Sequence, residues 1–241
     1  MKPFFSNNYL QLIKNYITVE NRSDVARALY IFIYDYPQYK NTILRETKID
    51  ENEIRITDIN PEELKGQIEE FKSTLPIHSP SIFLLNDAEV FMSSKRNKQE
   101  KAIKVTRSDI GIRRYFKLFN LINDSVINAS NWIQFRTEYK KNFKLLIESD
   151  SYLAVLSEKI AMDLSTVKSN PNKVTVIDSG VQGTFALFVA ESLENKYVNI
   201  KTDIQLFCLN PWLSNLFKDK YFSTDPNFLF GLERLAEQKS N

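Results

Sequence analysis

"KVTVIDSGVQGTFALFVAESL", residues 173–193, decides how this chain is read. The chain has only five glycines in 241 residues, and two of them, Gly180 and Gly183, fall between an apolar β-branched run and an apolar stretch of helical character. "VTVI" has the composition of a strand buried on both faces. "TFALFVAESL" reads as a helix that starts near Gln182 or Gly183. A second strand-like run, "DIQLFCL" (203–209), follows. Strand, helix and strand in succession predict a parallel crossover unit. The expected class is therefore α/β, with a parallel-sheet core in the C-terminal part, residues 151–241. Residues 1–150 are expected to form a helix-rich N-terminal portion with short strands, as a separate lobe or as one continuous domain with the rest.

Outward from that segment, the chain reads as alternating helices and short strands. Residues 6–17 have helical character, and Ser23 is placed to cap a helix over Asp24–Tyr34. "EIRIT" (53–57) alternates like a short strand. Asn60 followed by Pro61 and a run of acids is a helix start, with a donor-accepting cap, a preset φ and negative charge at the positive dipole end. "SIFLLN" (81–86) reads as a buried strand. Residues 109–123 form a helix with Ile112, Tyr115, Phe116 and Phe119 at core spacing, and two more helices follow before residue 170. "NPWLSNLF" and "NFLFGLERLAEQ" read as terminal helices. The aromatics of that C-terminal region are expected to wrap the domain edge, with base stacking or a partner surface as the alternative.

Composition excludes several chemistries. Basic and acidic residues number 32 and 30, so net charge favours no class of partner. The single cysteine, Cys208, leaves no internal disulfide and no multi-cysteine zinc site, and its apolar surroundings predict a buried structural thiol. The single histidine, His78, lies between two prolines in an expected loop, which excludes a site built on several histidines. No run approaches a membrane span and the N-terminus carries no secretory h-region, so a cytoplasmic protein without membrane contact is expected.

The segment 178–184 carries the chemistry. In open α/β sheets ligands bind beyond the carboxyl ends of the strands. Asp178 ends "VTVI" and would face such a crevice. Gly180 supplies positive φ, and Gly183 permits close backbone approach. The helix that follows presents unpaired N–H groups and a positive dipole end, and Ser179 and Thr184 add hydroxyls. This combination suits a phosphate. A carboxylate beside it would repel phosphate, so Asp178 is suited to sugar hydroxyls or to a metal ion. Acid followed by phosphate-binding turn fits a sugar phosphate. No Gly-Lys-Ser/Thr follows, which excludes a P-loop, and two glycines do not make the dinucleotide fingerprint. The bland alternative is a strand-ending turn and a tightly packed helix start.

On these residues the segment resembles the PRPP-binding motif of type I phosphoribosyltransferases: four apolar residues, an acid, a small Ser/Gly turn and Gly-Thr opening a helix. The resemblance covers about a dozen residues, 174–184 and their flank. It implies a nucleotide- or PRPP-binding transferase in which Asp178 contacts the ribose and is the catalytic-site acid. Ser179, Gly180, Val181, Gln182, Gly183 and Thr184 would line the 5′-phosphate, and Mg²⁺ would be the cofactor. The family pattern has two adjacent acids where this chain has Asp178 and Ser179, and its turn is about one residue longer. These departures favour binding of a nucleotide or sugar phosphate over transfer. The same string also resembles the D-x-G-x-x-G-T turn of haloacid-dehalogenase-like domains associated with surface-polysaccharide synthesis. The chain has no Asp-x-Asp, so the aspartyl-phosphate mechanism is disfavoured.

One further stretch is strongly charged. Residues 93–117 hold nine cations, Lys95 to Lys117, against Glu100 and Asp109. Such a run is most simply a solvated loop leading into a helix. Arg107, Arg113 and Arg114 flank a capped helix start and are the candidates for a second phosphate contact. A nucleic-acid backbone is the alternative partner for this segment.

Overall fold

A computed structural model describes residues 7–57, 59–76, 80–85, 100–164 and 173–232. His78, Lys95, Arg96 and Lys98 lie outside the described residues. The chain is α/β, with five parallel strands: β1 (Ser81–Leu85), β2 (Glu100–Lys104), β3 (Lys173–Val181), β4 (Lys201–Leu209) and β5 (Tyr221–Ser223). Their order across the sheet is β2-β1-β3-β4-β5, and every pair is parallel. Helices precede the sheet in sequence: α1 (Asn7–Tyr16), α2 (Arg22–Asp35), α3 (Lys40–Thr47) and α4 (Pro61–Thr74). Between β2 and β3 run α5 (Arg107–Ile110), α6 (Ile112–Ile127), α7 (Trp132–Ser149) and α8 (Ser151–Asp163). The crossover expected from residue 173 onwards is present as β3, α9 (Thr184–Lys196) and β4.

Helices cover both faces of the sheet, so runs within its central strands, Val174–Asp178 of β3 and Leu206–Leu209 of β4, are buried on both sides. On one face Val174, Val176, Ile204 and Leu206 pack with α9, whose residues Ala186 to Ala190 are all buried. Tyr9, Ile13, Leu29 and Phe32 of α1 and α2 join that same cluster, so residues 1–150 and 151–241 share one core. On the other face Phe83, Ile177 and Phe207 meet Leu64, Ile68 and Phe71 of α4 and Leu229 and Leu232 of the helical stretch 226–232. C-terminal aromatics join both sides: Phe207 stacks on Phe222 at 5.7 Å on this face, while Phe217 is fully buried in the α9-side cluster.

Several local expectations are revised. Residues 54–57 form no strand; Glu53 closes a 3₁₀ turn whose Asp50 cap and Glu53 side chain bond reciprocally, and Glu53 also takes Arg22 at 2.5 Å. Helix α2 begins two residues earlier than Ser23 predicts, with Asn21 at the cap position and no side-chain capping bond. Asn60 caps α4 as expected, accepting from the Glu62 amide at 2.9 Å. Ile112, expected in the core, opens α6 and is 51% exposed. "NPWLSNLF" makes a single 3₁₀ turn, Pro211–Leu213, and the chain then reaches an unforeseen edge strand, β5. Part of the basic stretch is the other edge strand, β2, whose lysines Lys101 and Lys104 suit an unpaired edge. Among the described residues no helix is long and apolar enough to cross a membrane.

Candidate functional site

The strand order reverses between β1 and β3. Their pairing ends at Phe83 and Ile177, while β1 continues beside β2 and β3 continues beside β4. The two strands therefore part at Asp178. Crevices of this kind, at the carboxyl edge where strand order reverses, are where open α/β sheets bind ligands. Alternation along β3 puts Asp178 on the side of Val174 and Val176, and its side chain is buried.

The strand does not end at Asp178. It runs on through Ser179, Gly180 and Val181, in register with β4 up to Leu209, so the expected turn shrinks to Gln182 and Gly183. Both glycines take positive φ, as expected of Gly180, and both lie where a Cβ would crowd β4, as expected of Gly183. Gly180 has φ of +124° and lies so close to β4 that a Cβ would sit 1.7 Å from the Cys208 carbonyl oxygen. Gly183, with φ of +72°, is the cap position of α9, where a Cβ would press on the Leu206 side chain at 3.2 Å. Between them Val181 has φ of +70°, a left-handed conformation that a β-branched residue rarely adopts. Three of four consecutive residues thus take positive φ, and clusters of this kind occur where surrounding structure enforces them.

Gln182 enforces part of it. Its side chain is buried and points into the protein, not along the rim. Tyr9 donates its hydroxyl to Gln182 Oε1 at 2.6 Å, and Gln182 Nε2 donates to Asn123 Oδ1 at 2.8 Å. Trp212 Nε1 donates to the Tyr9 hydroxyl at 2.8 Å. Burial pushes the Tyr9 phenol far above its ordinary pKa, against the bonds from Trp212 and the neighbouring Asn210. Of the residues expected to line a phosphate, Ser179, Gly180 and Val181 are half-buried and Thr184 is buried. No side chain caps α9, and its first intrahelical bond is Leu187 N–H to the Gly183 carbonyl. At such a helix start the preceding amides have no intrahelical acceptor.

The three arginines separate. Arg107 lies over the rings of Tyr36 and Tyr115, at 5.4 and 5.2 Å, and Tyr115 in turn contacts Phe185 on the first turn of α9 at 5.5 Å. The Tyr115 ring thus links Arg107 to the first turn of α9. Arg114 faces elsewhere: it donates to Asp150 at 3.0 Å and stacks over Tyr152. Lys117 donates to the other Asp150 oxygen at 2.8 Å, and this bond, assisted by Arg114, lowers the Asp150 carboxyl to about 2. Arg113 is exposed on the first turn of α6. Cys208 is a buried thiol, as expected, and burial raises its pKa strongly. Among the described residues no three His, Cys, Asp or Glu side chains converge as a metal cage.

Tyr9, Asn123, Asn210 and Trp212 were not legible as site neighbours. Trp212 and Tyr9 are 203 positions apart and no local pattern links them. The usable signal was weaker: a tryptophan in an apolar context whose indole N–H needs an acceptor once buried. No protein-family model, no curated protein and no solved structure matches this chain.

Proposed function

We propose that the carboxyl edge of β3 and the first turn of α9 bind a phosphate-bearing small molecule, a nucleotide or a phosphoribosyl compound such as PRPP. Asp178 takes the sugar hydroxyls. The backbone amides from Gly183 to Phe185 take the phosphate, with the half-buried rim Ser179–Val181 beside them and Arg107 supplying positive charge. The observation that carries this is the parting of β1 and β3 at Asp178, at the reversal of strand order and beside an uncapped helix start. Gln182 contributes from behind the site and does not touch the ligand.

Binding is favoured over phosphoribosyl transfer, because Ser179 stands where the resembling family carries a second acid. Mg²⁺, if it takes part, would be shared between the ligand's phosphates and at most one or two carboxylates. A nucleic-acid partner has less support, since Arg114 and Lys117 are engaged by Asp150. Thermal-shift and calorimetric titration with ribose 5-phosphate, AMP, PRPP and sulfate tests the proposal. Saturable stabilisation by the sugar phosphates that is weakened in Asp178→Asn and Arg107→Ala is expected. Equal, unsaturable effects of all anions, unchanged in both variants, would remove the site.

A further inference from the structure

The bonds around Gln182 form a chain whose direction is set at one end. An indole N–H can only donate. Trp212 Nε1 therefore obliges the Tyr9 hydroxyl to accept, which turns the Tyr9 proton toward Gln182 Oε1. That fixes the Gln182 amide with its Nε2 facing Asn123 Oδ1, at 2.8 Å, and the Phe119 carbonyl, at 3.4 Å. All four side chains are at least nine-tenths buried. The chain joins α1, α6 and the segment after β4 to the one residue between Val181 and Gly183, both of which have positive φ. A second tie lies beside it: the Asn210 amide N–H donates to the Val181 carbonyl at 2.8 Å. The chain ends on Asn123 Nδ2, a buried donor with no acceptor among the described residues.

We infer that Gln182 is a positioning residue: the Trp212–Tyr9–Gln182–Asn123 chain holds the Val181–Gly183 turn in its left-handed course and so aims the first amides of α9. The inference rests on the phosphate reading of that turn for its functional consequence, but the clamp itself is a property of the fold. Left-handed Val181 is disfavoured by its own side chain, so the turn needs such an external tie.

Tyr9→Phe removes one hydroxyl and severs the chain at both of its bonds. Tyr139→Phe is the control, because the Tyr139 hydroxyl is equally buried and has no partner among the described residues. Gln182→Met keeps the length and removes both polar atoms, and it serves if Tyr9→Phe does not fold. Each is titrated with ribose 5-phosphate under conditions where circular dichroism reports full folding, and amide hydrogen exchange is read at residues 180–185. Expected is a dissociation constant about tenfold weaker in Tyr9→Phe and unchanged in Tyr139→Phe. Faster exchange confined to 180–185 should accompany it. Wild-type affinity within about twofold in Tyr9→Phe and Gln182→Met, a change below the worth of one hydrogen bond, overturns the inference. If the wild-type chain itself binds no ribose 5-phosphate, the phosphate reading fails instead. The exchange data then decide the clamp alone: unchanged protection at 180–185 in the variants overturns it.

Discussion

Replacing Gly180 by alanine should be among the most damaging single-methyl additions available in this protein. The site has two separate objections to a Cβ. At φ of +124° an L side chain is strained in any surroundings, which costs about 1–3 kcal/mol. The Cβ would also lie 1.7 Å from the Cys208 carbonyl oxygen and 2.7 Å from its carbon. Those are backbone atoms of the paired strand, so no rotamer change relieves the contact. β3 must move away from β4 at this register, which puts at risk the adjoining Asn210 N–H to Val181 bond of 2.8 Å. With about 1 kcal/mol for that bond lost, the total is about 2–4 kcal/mol. Gly66 is the internal control. It lies in the exposed middle of α4 with nothing within 4 Å of an added Cβ, so alanine there should stabilise by about 0.5–1 kcal/mol through helix propensity. Urea unfolding of both variants reads the pair, provided the m-value is unchanged. A Gly180→Ala protein within about 1 kcal/mol of wild type, inside the ordinary range for point mutants, would refute the close approach of the two strands.

Other perturbations have worked signs. The Asp150 carboxyl is depressed to about 2 in the folded chain, so its stabilisation is fully present above the unfolded carboxyl pKa and is lost as pH falls toward 2. With its cationic partners partly exposed, Asp150→Asn should cost about 1–2 kcal/mol at neutral pH and nothing at the acid limit, as followed by urea unfolding against pH. Glu191 is 1% exposed and pairs with Arg136 at 2.7 Å. Arg136→Met should therefore cost about 3–5 kcal/mol by stranding a buried carboxylate, while adding Glu191→Leu should restore most of it; equal damage in single and double variants would argue against the pair. Buried Cys208, with its thiol pKa raised by burial, should react with a thiol reagent only at the rate of unfolding.

Much of the architecture was legible because local signals and tertiary demands agree. The β-branched run 174–177 could be buried on both faces, and Asn60-Pro61 fixed the start of α4 whatever packed against it. The misreadings arose where tertiary contacts overrode local pattern. Residues 53–57 alternate as a strand should, but Glu53 is taken by Arg22 and the Asp50 cap. The lysines at 101 and 104 resemble a solvated loop because an edge strand uses the same residues. At the candidate site, the acid, the glycines and the helix start were visible in one string. Their roles were not, since Gly180 is required by Cys208 on the next strand and Gln182 by partners 59 and 173 positions away. Arg107 and Arg114 looked equivalent in sequence, and only the position of Asp150 and Tyr115 tells them apart.

The central claim is that the edge formed by Asp178, the following left-handed turn and the start of α9 holds a phosphorylated sugar. Titrating ribose 5-phosphate into ¹⁵N-labelled protein and following the backbone amides tests it most directly. Expected are saturable shifts concentrated at Gly180–Phe185, replaced by PRPP's own shifts in the same segment when PRPP competes, and absent with unphosphorylated ribose. Shifts that map elsewhere, or none in that segment at concentrations that saturate any other part of the surface, would contradict it.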